Sequence, residues 1–151
     1  MAGMSSVAAP GPLVDDFLCL ALYRASRAMT AAYRPILADL GLTYPQYLVM
    51  ALLWEDGAAT VGQIGARLRL DSSTLSPLLK RLEGLGLITR RRSARDERSV
   101  QVDLTAAGTA MRAAASPVPA RVCAQTGLAA DDLPRLVAEL RVLAEHLEST
   151  G

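Results

Sequence analysis

Apolar residues recur at helical spacing on both sides of a short break at residues 69–70. The segment before the break opens with Thr60-Val61-Gly62-Gln63. In this pattern the threonine hydroxyl and the glutamine amide satisfy free backbone donors reciprocally at a helix start. Ile64 and Leu68 then fall on one face. The pattern predicts a short capped helix followed closely by another.

The segment after the break has one apolar and one polar face. It starts with Asp71-Ser72-Ser73, any of which is a good helix N-cap. The apolar face carries Leu75, Leu78, Leu79, Leu82 and Leu85, and the opposite face carries Ser73, Ser76, Pro77 and Lys80. A small, hydroxyl-rich, basic face opposite a leucine stripe is typical of a recognition helix that enters the major groove of DNA.

The next segment shows the two-residue alternation of β-strands. Residues 87–91 and 100–104 predict a hairpin, with strict apolar alternation in the second strand, and residues 92–98 connect the two. Helix, turn, helix and hairpin in this order predict a winged helix-turn-helix at residues 60–104. The expected fold class is mainly α with a small β-wing, and with terminal helices that form a dimerisation region.

Positive charge is concentrated in this part of the chain. Residues 67–98 hold nine Lys and Arg against four Asp and Glu, a net charge of +5, whereas the whole chain carries +1. A charge run alone is more often a solvated surface, but on a helix and a hairpin it fits a phosphate backbone. We therefore expect contacts to double-stranded DNA from Ser72, Ser73, Thr74, Ser76, Lys80, Arg81, Arg91, Arg92, Arg95, Asp96 and Arg98.

Long helical seams flank this module. Residues 13–40 predict a helix with a heptad-like stripe at Leu18, Leu22, Ala25, Met29, Ala32 and Ile36, although Pro35 is expected to kink or end it. Residues 132–147 predict a last helix with leucines at the same spacing. We expect segments 13–58 and 105–149 to form a homodimer interface. The alternative is that the two ends pack on each other within one chain.

Two further helices complete the expected order. Residues 45–55 predict a helix before the winged module. Thr105 is expected to cap a helix after it, which bends or breaks at Pro117 and Pro119 before reaching Gly127.

Composition narrows the class of protein. With 151 residues, of which 51% are hydrophobic and 4% aromatic, the chain predicts a single helical domain at residues 13–149 after a flexible tail at 1–12. No apolar run approaches the ~20 residues of a membrane span, and the tail lacks a signal-peptide pattern, so we expect a cytoplasmic protein. The two cysteines stand outside any CxxC pattern and there is one histidine. We expect no metal site, no cofactor and no catalytic triad.

The order of elements resembles the MarR family of bacterial transcription regulators over residues 13–149. The motifs are Leu85-Gly86-Leu87-Ile88, Asp96-Glu97-Arg98 and Leu104-Thr105-Ala106-Ala107-Gly108. A narrower resemblance, to the OhrR-type organic hydroperoxide sensors, lies in residues 17–23, 33–35 and 42–47. It implies that Cys19 reacts with peroxide, that Tyr33 and Tyr44 hydrogen-bond to it, and that Cys123 is the resolving cysteine of the two-cysteine branch.

The residues alone say less about Cys19. It lies near a predicted helix start, where the dipole favours a thiolate, but Asp15 and Asp16 oppose that effect. By composition alone, a cysteine beside leucines is more often a small buried hydrophobe. Hydrogen bonds from phenols would stabilise its thiolate, which is the form that attacks a peroxide.

Spacing adds one constraint. Cys19 and Tyr33 are 14 residues apart on one predicted helix, which places them about 21 Å apart along the axis at ~1.5 Å per residue. They do not meet within one chain unless that helix breaks. A tyrosine that serves Cys19 therefore comes from a second subunit.

We predict a dimeric repressor, not an enzyme, that releases a pseudo-palindromic operator when organic hydroperoxide oxidises Cys19. The resemblance implies that an intersubunit disulfide with Cys123 follows. Two alternatives stay open. One is a MarR-type regulator that binds a small phenolic ligand in the dimer cleft, and the other is a thiol peroxidase, although neither cysteine lies in a recognisable peroxidase motif.

Overall fold

The computed structural model describes residues 13–96 and 98–151, so the predicted tail at residues 1–12 lies outside the described residues. A 3-10 turn at Val14–Asp16 comes first. The elements that follow are α1 Leu18–Ala38, α2 Tyr44–Asp56, β1 Ala59–Thr60, α3 Val61–Leu68, α4 Ser72–Gly84, β2 Ile88–Arg92, β3 Val100–Leu104, α5 Ala106–Ala115, α6 Val118–Thr126 and α7 Asp132–Ser149.

Both helices of the helix-turn-helix start where the sequence predicts. Thr60 Oγ1 accepts the Gln63 N–H at 3.1 Å, and Gln63 Oε1 accepts the Thr60 N–H at 2.9 Å, which caps α3. Asp71 caps α4 by accepting the Thr74 N–H at 2.8 Å. Between the helices Arg69 adopts the left-handed conformation with φ 56°. This residue ends α3 and lets the chain turn sharply into α4.

The wing contains a third strand that the sequence pattern did not reveal. β3 pairs antiparallel with both β1 and β2, so the sheet order is β1-β3-β2. In β1, Ala59 lies opposite Val102 and Thr60 opposite Gln101. Two residues are too few to show an alternation, and Thr60 also serves as the cap of α3. The predicted hairpin itself is confirmed, with the first strand shifted by one residue.

The hydrophobic core lies beneath the helix-turn-helix. Its fully buried side chains come from α1, α2, α3, α4, β2 and β3 and include Leu37, Met50, Leu53, Ile64, Leu75, Leu79, Leu82, Ile88 and Val102. The predicted leucine stripe of α4 is buried except at Leu85, which is 55% exposed. Leu85 is the C-cap of α4, and Gly86 with φ 76° turns the chain away towards β2. The prediction for Leu85 is therefore wrong.

The first helix differs from its prediction at both ends. Phe17 is extended, so α1 begins at Leu18 rather than at residue 13. Pro35 lies inside α1 without ending it, and the helix continues to Ala38. The hydrogen bond that Pro35 removes is offset by burial of the next two residues, Ile36 and Leu37, in the core. The predicted break at Pro117 is confirmed, because it separates α5 from α6.

The terminal helices leave most of their apolar faces uncovered. Only Ile36 and Leu37 are buried in α1, and α7 has no buried residue. Leu18, Met29, Leu136, Leu140 and Leu147 are each at least 39% exposed. Within the described chain, α7 makes no extensive contact with any other helix or strand. The two predicted seams do not cover each other in one chain.

Candidate DNA-binding surface and cysteine site

The predicted polar face of α4 is exposed. Ser72, Ser73, Ser76 and Lys80 are exposed while Leu75 is buried, so the predicted helix phase is confirmed. Thr74 and Arg81 are exposed as well. The face presents hydroxyl groups in its first turns and positive charge further along. Such side chains hydrogen-bond base edges and phosphates in a major groove.

Asp71 sets the start of this face. Its carboxylate accepts the Ser73 hydroxyl at 2.8 Å and the Thr74 N–H at 2.8 Å. The bond from Ser73, followed by the bonds from Thr74, lowers the pKa of Asp71. The residue therefore stays ionised at neutral pH, where its charge complements the dipole at the N-terminus of α4.

The basic side chains of the wing are exposed, and these are Arg91, Arg92, Arg95 and Arg98. Backbone bonds shape the tip: the Ser93 N–H donates to the Ser99 carbonyl at 2.8 Å, and the Ser99 N–H donates to the Asp96 carbonyl at 3.0 Å. The Asp96 carboxylate accepts the Arg98 N–H at 3.0 Å. Asp96, predicted as a DNA contact, thus shapes the turn that presents the arginines.

Arg90 is a functional candidate that the sequence reasoning missed. Its Nη2 donates to Glu83 Oε1 at 3.1 Å, which joins β2 to α4, and this bond lowers the pKa of Glu83. Arg90 also lines a groove of about 510 Å³ between α4 and the wing, together with Ser76 and Arg98. The available signal was its position two residues after buried Ile88, because alternate residues of a strand share one face.

Two of the predicted sensor residues lie together. The rings of Tyr33 on α1 and Tyr44 at the start of α2 have centroids 4.7 Å apart, and Tyr47 lies 5.8 Å from Tyr33. Tyr44 is fixed there by a capping box between Thr43 and Gln46. Burial, followed by the charges that Tyr44, Tyr47 and Cys123 can carry, raises the pKa of Tyr33. Its hydroxyl therefore remains protonated at neutral pH and can donate a hydrogen bond.

Cys123 belongs to the same cluster. Helix α6 packs on α1 and brings Cys123 close enough to Tyr33 to act on it electrostatically. Cys123 is half-buried and unpaired with the other cysteine. Tyr33, Tyr44 and Cys123 thus form one group, which we call the tyrosine cluster, within a single chain.

Cys19 lies away from the tyrosine cluster. It is the second residue of α1 and is exposed. The helix is uninterrupted from Cys19 to Tyr33, so the two residues are about 21 Å apart along its axis. One chain brings the two tyrosines and Cys123 together but does not bring Cys19 to them. The exposure of Cys19 also argues against a small hydrophobe buried within its own chain.

Among residues 13–96 and 98–151, no group of three or more His, Cys, Asp or Glu is arranged to hold a metal ion. None of the helices in these ranges has the length and apolar character needed to cross a membrane.

Two capped helices with a tight turn, a polar outer face and a basic three-stranded wing define a winged helix-turn-helix DNA-binding protein. The MarR family pattern matches residues 42–100, and the chain belongs to the MarR family of transcriptional regulators. It is 45% identical over 134 residues to the organic hydroperoxide resistance transcriptional regulator of Bacillus subtilis, a match that covers 89% of this chain and 91% of that protein.

Solved structures of AbfR from Staphylococcus epidermidis are also similar. Reduced AbfR bound to DNA has 36% sequence identity and a TM-score of 0.73, and the match covers 86% of this chain and 91% of that one. The disulfide form of AbfR has 36% identity and a TM-score of 0.65, over 86% and 88% of the two chains. The Bacillus subtilis relative is named as a transcriptional regulator. The chain is accordingly a DNA-binding transcriptional regulator rather than an enzyme.

Proposed function

We propose that this regulator is a homodimeric repressor that organic hydroperoxide inactivates at Cys19. The observation that carries the proposal is the division of the sensor residues in one chain. The tyrosine cluster forms at one end of α1, and the exposed Cys19 lies at the other end. A second subunit supplies what each end lacks. In a two-fold dimer this complementation occurs twice, once for each Cys19.

The uncovered faces of α1 and α7 provide the surface for that dimer. Apolar side chains along both helices, including Leu18, Met29, Leu136 and Leu140, are exposed in the single chain. Burying them against a second copy is favourable at about 25 cal/mol per Å² of apolar surface. Because α1 carries both Cys19 and Tyr33, antiparallel contact between two α1 helices places Cys19 of one subunit near the tyrosine cluster of the other.

The proposed chemistry begins with the Cys19 thiolate. It attacks one oxygen of the hydroperoxide, so that a sulfur–oxygen bond forms, the oxygen–oxygen bond breaks, and the alcohol leaves after taking up a proton. Tyr33 and Tyr44 of the partner subunit donate hydrogen bonds to the thiolate and stabilise it. Cys123 of the partner subunit then attacks the sulfenic acid sulfur, which forms a disulfide and releases water.

Disulfide formation explains how DNA is released. A disulfide requires its two Cα atoms about 4.4–6.8 Å apart, so closing the bond draws α1 of one subunit towards α6 of the other. The recognition helices then lose the ~34–36 Å separation that fits successive major grooves. A shape change of this kind is compatible with the AbfR structures, because the reduced, DNA-bound form and the disulfide form match this chain to different extents, with TM-scores of 0.73 and 0.65 at equal identity.

The DNA surface in this proposal has two parts. The α4 face, with Ser72, Ser73, Thr74, Ser76, Lys80 and Arg81, enters the major groove, and the wing arginines Arg91, Arg92, Arg95 and Arg98 follow the phosphates. Asp96 holds the wing tip in shape. Arg90 links the two parts through Glu83 and faces the groove between them.

The decisive comparison is between wild type and Cys19→Ser. An operator duplex is first selected from a random library with reduced protein, and binding is followed by fluorescence anisotropy before and after one equivalent of cumene hydroperoxide. Wild type is expected to release the duplex. Cys19→Ser is expected to bind it normally and to ignore the peroxide, because a hydroxyl is a far weaker nucleophile than a thiolate. Peroxide-induced release by Cys19→Ser would place the sensor elsewhere.

The same assay distinguishes the ligand-responsive alternative. If the regulator binds a phenolic compound in the dimer cleft, adding that compound would release DNA equally well from wild type and from Cys19→Ser. Tyr33→Phe refines the test, because loss of one hydrogen bond to a thiolate should slow thiol oxidation by roughly tenfold or more. The control is Tyr47→Phe, which removes a hydroxyl next to Tyr33 to which the proposal assigns no bond to the thiolate. Equal oxidation rates for the two variants would mean that Tyr33 does not act on the Cys19 thiolate.

A further inference from the structure

A line of aromatic contacts leads from the tyrosine cluster into the DNA-binding part of the chain. The Tyr47 ring lies 5.8 Å from that of Tyr33, and the Trp54 ring lies 6.3 Å from that of Tyr47 in an edge-to-face arrangement. Tyr47 and Trp54 are seven residues apart, which places them two turns apart on one face of α2. The Trp54 indole N–H then donates to the Gly108 carbonyl at 2.9 Å.

Gly108 lies at the joint between the recognition helix and the wing. Its N–H donates to Thr105 Oγ1 at 3.0 Å, and the Thr105 hydroxyl donates to the Gly86 carbonyl at 2.6 Å. The Thr105 N–H also donates to the Leu87 carbonyl at 3.0 Å. Gly86 follows α4, and Leu87 precedes β2. The residue that Trp54 holds is therefore tied through Thr105 to the chain that joins the two DNA-contacting elements.

The backbone at Gly108 packs tightly against the backbone at Leu87. A Cβ at this position would lie 2.1 Å from the Leu87 carbonyl oxygen, so the backbones of α5 and of the β2 entrance touch directly. A shift of the first turn of α5 therefore displaces the root of the wing. Close-packed interiors transmit such displacements instead of absorbing them.

We propose that Trp54 is a positioning residue that couples the cysteine site to the DNA-binding surface. The inference rests on the proposed function and adds how oxidation reaches α4 and the wing. Oxidation of Cys19 in one subunit removes the thiolate that accepts the hydrogen bonds of Tyr33 and Tyr44 in the other subunit. The tyrosine cluster of that other subunit then rearranges. Tyr47 is only 7% exposed and its ring packs edge-to-face against Trp54, so a displacement of Tyr47 is passed on to Trp54. Trp54 then shifts the Gly108 carbonyl and, through it, the wing root.

The polar link is the part of this route that mutation can isolate. Among the described residues, Trp54 to Gly108 is the side-chain hydrogen bond that joins α2 to α5. Trp54→Phe keeps an aromatic ring against Tyr47 and removes the N–H. The control is Leu52→Val, which trims a buried side chain on the opposite face of α2 without touching this bond.

The quantity to measure is the ratio of operator affinity in the reduced and the oxidised protein, together with the rate at which Cys19 loses its free thiol. The expected result for Trp54→Phe is wild-type thiol oxidation with a ratio reduced by about fivefold, the size of one hydrogen bond. Leu52→Val should keep the wild-type ratio. A Trp54→Phe ratio equal to that of wild type would overturn the coupling role while leaving the sensor intact.

A second readout needs no variant at position 54. The chain has a single tryptophan, so its fluorescence reports on this contact directly. One equivalent of cumene hydroperoxide should shift the emission of the wild type and leave that of Cys19→Ser unchanged. DNA release without any change in emission would contradict the proposal. If the wild type does not release DNA after peroxide treatment, the proposed function itself is wrong, and the coupling role is wrong with it.

Discussion

The DNA-binding lobe, from α2 to β3, and the terminal helices α1 and α7 differ in how much of their apolar surface one chain buries. In the lobe, α3 and α4 bury their apolar stripes on α2 and the sheet, and Ile64, Leu79 and Leu82 are at most 1% exposed. In α7 no residue is buried, and α1 is buried only near its end. The lobe buries its apolar side chains within one chain, whereas the terminal helices leave theirs exposed to be covered by a second chain.

The same division applies to function. Every residue of the proposed DNA surface is presented by one chain, but the cysteine site needs two. A regulator built in this way makes its sensor dependent on dimerisation, and the dimer also sets the spacing of the two recognition helices. Oxidation at the subunit interface therefore acts where that spacing is determined.

The largest effect is expected from charge in the α7 face. Leu140→Glu places a carboxylate among exposed leucines that the dimer should bury, so the protein should become monomeric without unfolding. Loss of the second half-site contact should lower operator affinity by about 10²–10⁴-fold. Analytical ultracentrifugation and anisotropy measure the two effects.

Ala138→Glu is the matched control, because it adds the same charge on the opposite face of α7. It should leave both the dimer and the operator affinity unchanged. If Ala138→Glu dissociates the protein and Leu140→Glu does not, the dimer uses the other face of α7.

An intermediate effect is expected from the core of the lobe. Leu82→Ala removes a fully buried side chain and should lower the free energy of unfolding by about 2–5 kcal/mol. Leu85→Ala changes the same residue type three positions later, where the side chain is exposed, and should cost less than ~0.5 kcal/mol. Urea denaturation at one fixed protein concentration compares them. Equal losses would mean that α4 continues past Gly84.

The smallest effect is expected at the wing tip. Arg95→Ala should weaken operator binding modestly and reduce the slope of log affinity against log salt by about one, because one phosphate contact is lost. Arg135→Ala removes an exposed arginine on α7, far along the chain from the wing, and should leave the slope unchanged. Identical slopes for wild type and Arg95→Ala would mean that Arg95 makes no phosphate contact.

Much of the lobe is predictable from the sequence because its signals are local. The capping pairs Thr60 with Gln63 and Asp71 with Thr74, and the stripe from Leu75 to Leu82, lie within a few residues of each other. β1 was not predicted because a strand of two residues is too short to show an alternation of apolar and polar positions. The predicted burial of Leu85 is wrong because α4 ends one residue before it. The position of Pro35 within α1 depends on burial of Ile36 and Leu37, which is a tertiary effect.

The candidate site is predictable in a different way. Fourteen residues of helix suffice to separate Cys19 from Tyr33, so the need for a second subunit follows from spacing alone. The gathering of Cys123 with Tyr33 does not, because it depends on how α6 packs against α1. Arg90 and Trp54 were missed for the same reason: their partners, Glu83 and Gly108, are distant enough along the chain that only the fold brings them together.

The assembly of one sensor from two subunits is tested most directly with a mixed dimer. Subunits carrying Cys19→Ser and Cys123→Ser, with tags of different size, are refolded together, oxidised with cumene hydroperoxide, blocked at free thiols and run on a non-reducing denaturing gel. The mixed dimer retains one complementary cysteine pair and should give a covalent heterodimer that disappears on reduction, while neither homodimer forms this bond. An oxidised wild type that runs as a monomer with an internal Cys19–Cys123 disulfide, together with no heterodimer band, would contradict the account.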